Sequence, residues 1–257
     1  MTSLPTSTVP PDPIGYLDAA AATAAGREYK RRLLAAMDLQ AGQVVLDVGC
    51  GPGTDLTQMA DAVGPDGHVI GVDADPAMVE AARHRLAAYR TVEVIPGDAH
   101  QLPLPDARVD RARVDRVLQH VADPARVLVQ LHRVLRPGGL LAMAEPDWDT
   151  LAIDDVDVAT SRAFTRFIAG RIRNGVVGRQ LARLAVEARF TVETVSAVAP
   201  VFVDFATAEQ VLGLRRNAAR AVRAGHLDEA AAAAWLDRLA HGPCVATFTV
   251  VTVTVRA

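Results

Sequence analysis

The residues best suited to chemistry are the run Asp47-Val48-Gly49-Cys50-Gly51-Pro52-Gly53 and three acids at the ends of successive apolar segments, Asp47, Asp73 and Asp98. Glycines let a chain turn tightly and let a ligand come close to the backbone. Alone, such a loop can also be a plain strand-to-helix turn. Asp73 follows His68-Val69-Ile70-Gly71-Val72, where a carboxylate can accept both hydroxyls of a ribose lying over the loop. Its other reading is a helix N-cap, a role that Asp75 before Pro76 fills better. Asp98, in Pro96-Gly97-Asp98-Ala99, can take the exocyclic amine of an adenine or serve as an ordinary turn residue. Taken together, the three acids point to a nucleoside-containing ligand. The spacing is G-x-G-x-G with Thr54 next, where a dinucleotide fingerprint wants glycine or alanine, so a nicotinamide cofactor is the less favoured alternative.

These residues need a scaffold that stacks strand ends side by side. Gln43–Val48, His68–Asp73, Val92–Ile95, Val109–Val114 and Leu140–Ala144 are short apolar runs that predict buried parallel strands. Asp55–Val63, Pro76–Tyr89, Asp123–Leu135 and Gly178–Arg189 carry helical patterns, and Thr191–Val198 and Ala246–Val255 add two more strands. Strands alternating with helices imply right-handed crossovers and a sheet covered on both faces. The expected fold is α/β: a Rossmann-like doubly wound sheet of seven strands, mostly parallel with a final antiparallel strand, plus helical cap insertions. One domain over 1–257 is expected, with a tail and cap helix at 1–40, a core at 41–150, and cap helices at 151–177 and 206–241. The N-terminal helix is expected over Tyr16–Leu39.

The bulk properties narrow the partners. The 257-residue chain has a net charge of −3, which gives no electrostatic reason to expect nucleic-acid binding. No stretch approaches the roughly 20 apolar residues of a membrane helix. Met1–Pro13 is rich in Ser, Thr and Pro and reads as a flexible tail, not a signal peptide, so a cytoplasmic protein is expected. Cys50 and Cys244 cannot build a disulfide framework, and no cluster has zinc spacing, so no metal is expected.

Five segments in order carry a family resemblance. Val45–Gly53, Gly71–Met78, Gly97–Leu104, Leu118–Pro124 and Arg133–Gly139 resemble the motifs of class I S-adenosylmethionine-dependent methyltransferases. The set is most similar to the branch with the ubiquinone and menaquinone C-methyltransferases, and it covers about Ala41 to Pro146. One departure is Val109 before Asp110, where many relatives have an aromatic residue.

The resemblance implies S-adenosylmethionine as cofactor and assigns its contacts. Gly49, Cys50 and Gly51 approach the methionine moiety, and Asp47 supports the loop and the ammonium group. Asp73 binds the ribose, Ala74 and Met78 flank the adenine, and Gly97, Asp98 and Ala99 hold its edge. Val114 and Asp115 border the sulfonium, and Tyr16 covers the cofactor carboxylate or packs in the core. Methyl transfer is a direct displacement, so alignment and desolvation dominate, and a base is needed only if the acceptor must lose a proton. His120 is the candidate base, its alternative being a turn-capping histidine. Asp147 and Asp149 can orient the acceptor or simply be solvated, and Trp148 can stack on it. Arg173, Arg179 and Arg216 are candidate anion contacts. The expected activity is methylation of a small-molecule acceptor, a secondary metabolite or a quinone-like or phenolic compound, by a monomer or homodimer. A non-methylating S-adenosylmethionine binder is the alternative.

Overall fold

The computed structural model describes residues 12–257, apart from a few side chains in the first two helices. In chain order the elements are α1 (Pro13–Ala22), α2 (Ala24–Ala36), β1 (Val44–Val48), α3 (Leu56–Val63), β2 (His68–Asp73), α4 (Pro76–Arg85), β3 (Val92–Pro96), β4 (Val109–Asp115), α5 (Pro124–Val134), β5 (Leu135–Ile153), α6 (Val158–Arg171), α7 (Val177–Glu187), β6 (Thr191–Val198), β7 (Val201–Phe202), α8 (Phe205–Leu212), α9 (Leu214–Arg223), α10 (Glu229–His241) and β8 (Ala246–Arg256). The sheet runs β3-β2-β1-β4-β5-β8-β6, with β7 beside β8. Strands β1 to β5 pair in parallel, while β8 is antiparallel to both β5 and β6. This is the expected mixed sheet with its last strand reversed, plus a two-residue eighth strand that the sequence reading did not include.

Order reverses between β1 and β4, so the loops after those strands share one crevice at the carboxyl edge. Strands β1 and β2 and the Leu140–Ala144 stretch of β5 are buried on both faces, which is why they are apolar without strict alternation, whereas the edge strand β6 is mostly exposed. Val45 joins a cluster with Leu33, Met37, Leu56, Met59, Val79 and Ala82 from α2, α3 and α4. Leu46 and Val48 join the opposite cluster with Leu128, Leu131, Leu181 and Ala185 from α5 and α7. The cap helices extend the first cluster: Trp235 of α10 is fully buried, tilts against Phe164 of α6 at 4.8 Å, and donates its indole N–H to Ser161 Oγ at 2.9 Å.

Four boundaries differ from expectation for local reasons. The N-terminal helix breaks at Thr23, whose hydroxyl caps α2 by accepting from the Gly26 N–H at 3.0 Å. Helix α4 stops at Arg85 instead of Tyr89. Helix α7 ends at Glu187 instead of the expected Arg189, which turns into the left-handed region at φ 71°. Strand β5 is far longer than Leu140–Ala144. Its pairing with β4 slips between Val109↔Leu135 and Arg111↔Leu140, so Arg136-Pro137-Gly138-Gly139 swells out of the ladder. After Ala144 it continues along β8, with a second irregularity between Asp147 and Ala152. Of the expected tail Met1–Pro13, residues 1–11 lie outside the described residues and Pro13 opens α1.

Candidate active site

The glycine loop leaves β1 with Gly49, Gly51 and Gly53 all at positive φ, 70°, 54° and 76°. Two of these positions are needed for different reasons. A Cβ on Gly49 would lie 2.3 Å from Val117 Cγ2, so the loop after β1 and the loop after β4 interlock there. A Cβ on Gly51 would meet only Leu17 Cδ1 of α1, at 3.5 Å, so this backbone is open to a ligand. Val72 O accepts from Gly49 N–H at 2.7 Å and Cys50 N–H at 3.1 Å, which pins the loop to β2. Cys50 is buried, and burial pushes its thiol pKa up, so it acts as a small filler and not a nucleophile. Thr54, in place of a third fingerprint glycine, donates to Asp18 Oδ1 at 3.0 Å and accepts from Arg85 at 2.9 Å.

The acids expected to hold a nucleoside are oriented by backbone. Asp73 accepts the Gly51 N–H on one carboxylate oxygen at 2.8 Å and the Asp75 N–H on the other at 2.9 Å. Each oxygen keeps a free lone pair, so the same carboxylate can still receive two ribose hydroxyls. Asp75 is the helix cap, accepting from the Ala77 N–H. Ala74 is exposed beside it, and Met78 is buried on α4. Gly97 donates to Asp73 O at 2.9 Å, tying the second and third strand ends together. Asp98 is exposed and accepts from His100 through its backbone N–H at 2.9 Å and ring Nδ1 at 2.6 Å. These bonds, the backbone one first, lower the Asp98 pKa. His100 Nε2 in turn accepts the Asp123 N–H at 3.1 Å, which places the ring proton on Nδ1. Asp98 is thus an ordered turn residue with its second oxygen unengaged, and Ala99 is half-buried next to it.

Beneath the loop lies a charge network. Asp47 and Arg113 are register partners on β1 and β4, joined by two parallel bonds of 2.9 and 2.8 Å. Arg113 reaches on to Asp55 at 2.8 Å; Lys30 of α2 bridges Asp55 and Asp115; and Tyr29 donates to Asp115 at 3.2 Å. Arg116 lies 3.7 Å from Asp115. Three carboxylates therefore face three cations. Burial would lower the Arg113 pKa, but Asp47, Asp55 and Asp115 raise it well above its ordinary value. Burial would raise the Asp55 carboxyl, but Arg113 and Lys30 hold it at about 2. Asp47 therefore supports the loop through Arg113, and Asp115 is held from α2. Val114 is fully buried between them.

The wall after β4 is organised by Glu145 at the end of β5's parallel stretch. Fully buried, it accepts the N–H groups of Val117, at 2.7 Å, and Leu118. Burial pushes its carboxyl up to about 8 in spite of those bonds. Asn174 donates to Leu118 O and Val121 O, both at 2.8 Å, and Gln119 accepts the Trp148 indole N–H at 2.8 Å. Trp148 stacks on Phe248 at 5.0 Å. His120 projects from this wall; partial burial and the positive Arg116 lower its imidazole pKa, favouring the neutral ring. Asp147 is buried, with both oxygens on Arg179 of α7, and Asp149 sits 3.4 Å from the same guanidinium. Arg173 is exposed beside Asn174, and Arg216 is half-buried on α9. The Tyr16 side chain lies outside the described residues.

The structure thus gathers the glycine loop, Asp73 and Asp98 along one edge, and His120 and Trp148 on one wall through Gln119. It sets Arg216 apart, on the cap. Sequence reasoning missed Arg113, Lys30, Asp55, Tyr29, Gln119 and Asn174 as parts of the site. Only Arg113 left a signal, a cation inside an apolar strand run.

Comparison with known proteins agrees with this architecture. Residues 39–177 match the family model described as a methyltransferase domain. A 37.1 kDa protein in transposon TN4556 of Streptomyces fradiae is 54% identical over 248 residues, 96% of this chain and 72% of that one. The demethylmenaquinone methyltransferase of Listeria welshimeri is 38% identical over 117 residues, 45% of this chain and half of that protein's length. The solved S-adenosylmethionine-dependent methyltransferase of Aquifex aeolicus is similar in fold, with a TM-score of 0.55 at 19% identity, covering 94% of this chain and 98% of that one. With the ordered glycine loop, the strand-end acids and a family match over more than half its length, the chain belongs to the class I S-adenosylmethionine-dependent methyltransferases.

Proposed function

We propose that this methyltransferase acts on a small-molecule acceptor, a secondary metabolite or a quinone-like or phenolic compound, with His120 as the group that takes the acceptor's proton. The residues present suit the cofactor: the Gly51 backbone is open where a Cβ would otherwise stand, and Asp73 is oriented beside it with capacity to spare. When bound, S-adenosylmethionine supplies an electrophilic methyl on a sulfonium. Asp73 holds the ribose hydroxyls, and Asp98, with its free oxygen, takes the adenine amine. Gly49, Gly51 and the side chains of Ala74, Met78 and Ala99 supply close, mostly apolar walls. Asp47 and Asp115 act through the charge network that fixes the loop and the end of β4.

On the acceptor side, Trp148 offers a ring already fixed by Phe248 and Gln119, suited to stacking on a planar substrate. Asp147 and Arg179 form a closed pair that positions the rim. The single observation that carries the catalytic assignment is the placement of His120 on the loop after β4, directly beyond the Val117 and Leu118 N–H groups that Glu145 holds. Burial and Arg116 favour its neutral ring, the form that can accept a proton from a phenolic hydroxyl. The proposed setting is the cytoplasm; no described helix is long and apolar enough to cross a membrane.

The test is calorimetry with S-adenosylhomocysteine, followed by mass spectrometry of a panel of phenols, hydroquinones and amines incubated with enzyme and S-adenosylmethionine. Methylated phenol or hydroquinone products support the proposal. Tight cofactor binding with no product from any acceptor, or amine products alone, would overturn the acceptor reading.

A further inference from the structure

Helix α9 carries Arg216, Arg220 and Arg223 at i, i+4 and i+7, a single stripe along one side. Its other side, Leu214, Ala218 and Ala221, is buried in the cap. Helix α9 packs against α6, whose last residue is Arg171, and α8 before it packs against α1, the helix that touches the glycine loop through Leu17.

Among the described residues none of Arg171, Arg216, Arg220 and Arg223 makes a side-chain ion pair, although most other arginines of the chain do. Glu209 of α8 feels the charge of Arg216, but its carboxylate accepts the Arg215 backbone N–H at 2.9 Å. Arg216 Nε is buried and has no hydrogen-bond partner among the described residues. Arg220 makes only one long bond, to Asn217 Oδ1 at 3.4 Å. Burial first, then Arg216, Arg171 and Arg223, all act to lower the Arg220 pKa. Arg216 and Arg220 are half-buried, with Arg171 and Arg223 exposed at their margin. Half-buried like charges without counter-ions are costly, and a buried guanidinium N–H without an acceptor is costly in its own right. An anion between the helices removes both costs, and guanidinium forks match carboxylate and phosphate geometry.

We propose that Arg171, Arg216 and Arg220 form an anion subsite in the helical cap, and that the methyl acceptor carries a carboxylate or phosphate group seated there. The proposal rests on the small-molecule reading above and adds the charge class of the acceptor. It places the reacting atom near His120 and the anionic end against α9.

The test uses the full chain saturated with S-adenosylhomocysteine, titrated calorimetrically with inorganic pyrophosphate and, separately, with citrate. One saturable site per chain is expected for one of the two probes, and the responding probe distinguishes phosphate from carboxylate recognition. Arg216→Met and Arg220→Met, which keep the apolar stem, should each weaken that binding about tenfold. Arg215→Met removes the same charge from a guanidinium stacked on Phe205 and should leave the binding unchanged. Retained S-adenosylhomocysteine binding shows that each variant folds. Absence of a saturable anion site, equal loss in all three variants, or binding only of an RNA oligomer would overturn the subsite. If S-adenosylhomocysteine fails to bind the parent chain, the cofactor reading fails instead, and the same anion titration without it still decides the subsite.

Discussion

Asp47 and Arg113 sit directly across from one another on β1 and β4 and are joined by two parallel hydrogen bonds of 2.9 and 2.8 Å, with both side chains almost wholly buried. The pair anchors the strand end from which the glycine loop departs, and through Asp55, Lys30 and Asp115 it ties that loop to α2 and to β4. A sheet position that would ordinarily be apolar is thus given to a rigid ionic fork.

Removing one member should expose the cost of the other. Arg113→Met leaves Asp47 and Asp55 short of a cation in the interior and should destabilise the chain by about 3–5 kcal/mol. Urea unfolding measures this. Adding Asp47→Asn to the same chain should recover part of the loss. A single variant as stable as the parent would show that the pair carries no such load.

Asp73 should dominate cofactor affinity over Asp98. Asp73→Ala removes both an oriented carboxylate and the acceptor for the Gly51 N–H, so S-adenosylhomocysteine should bind roughly tenfold to hundredfold more weakly. Asp98 is more exposed, so Asp98→Ala should cost only a few-fold, on the order of 1 kcal/mol or less. Isothermal titration of both variants checks the order, and equal losses would contradict it.

Stability should fall at both ends of the pH scale, for two different residues. Asp55 has a folded pKa of about 2 against an ordinary 3.8, so its contribution is present above about pH 4 and is lost as pH falls towards 2, a change of about 2 kcal/mol. Glu145 has a folded pKa of about 8 against an ordinary 4.5, so the native state keeps a proton that the unfolded chain releases. Stability should therefore decline by roughly 2 kcal/mol between pH 6 and 8 on its account. Denaturant titrations across pH test both limbs, and Glu145→Gln should flatten the alkaline one.

His120 should act on rate and not on cofactor affinity. His120→Gln should lower kcat by about 10²–10⁴ on a hydroxylated acceptor while S-adenosylhomocysteine binding stays unchanged. Because burial and Arg116 lower the imidazole pKa, the acid limb of kcat/KM in the parent enzyme should have its midpoint below 6.5. A variant with full activity and the same pH profile would leave His120 as a turn residue only.

The central strands were legible because burial on both faces writes itself as short apolar runs between glycine, proline and aspartate. The β2 bounds, His68–Asp73, match the reading residue for residue. The length of β5 was not legible. Pro137 and Gly138 near its start argue for a turn and form a bulge against β4, and Pro146 argues for an end where only pairing with the distant β8 continues the strand. In the site, the backbone-defined parts were readable from local spacing. Lys30, Asp55 and Asn174 were not, since each meets its partners across 25 to 85 positions of chain and nothing nearby marks it. Arg113 could have been found: opposite an acid in the neighbouring strand, a cation in an apolar run calls for a partner.

The balanced network also constrains how this protein can change. With Asp47, Asp55 and Asp115 set against Arg113, Lys30 and Arg116, the effect of any one replacement depends on which of the others is already altered. A step that is damaging in one background becomes tolerable in another. Drift at these six positions should therefore proceed by paired exchanges, and descendants of this chain should either keep the ensemble entire or shed oppositely charged members together.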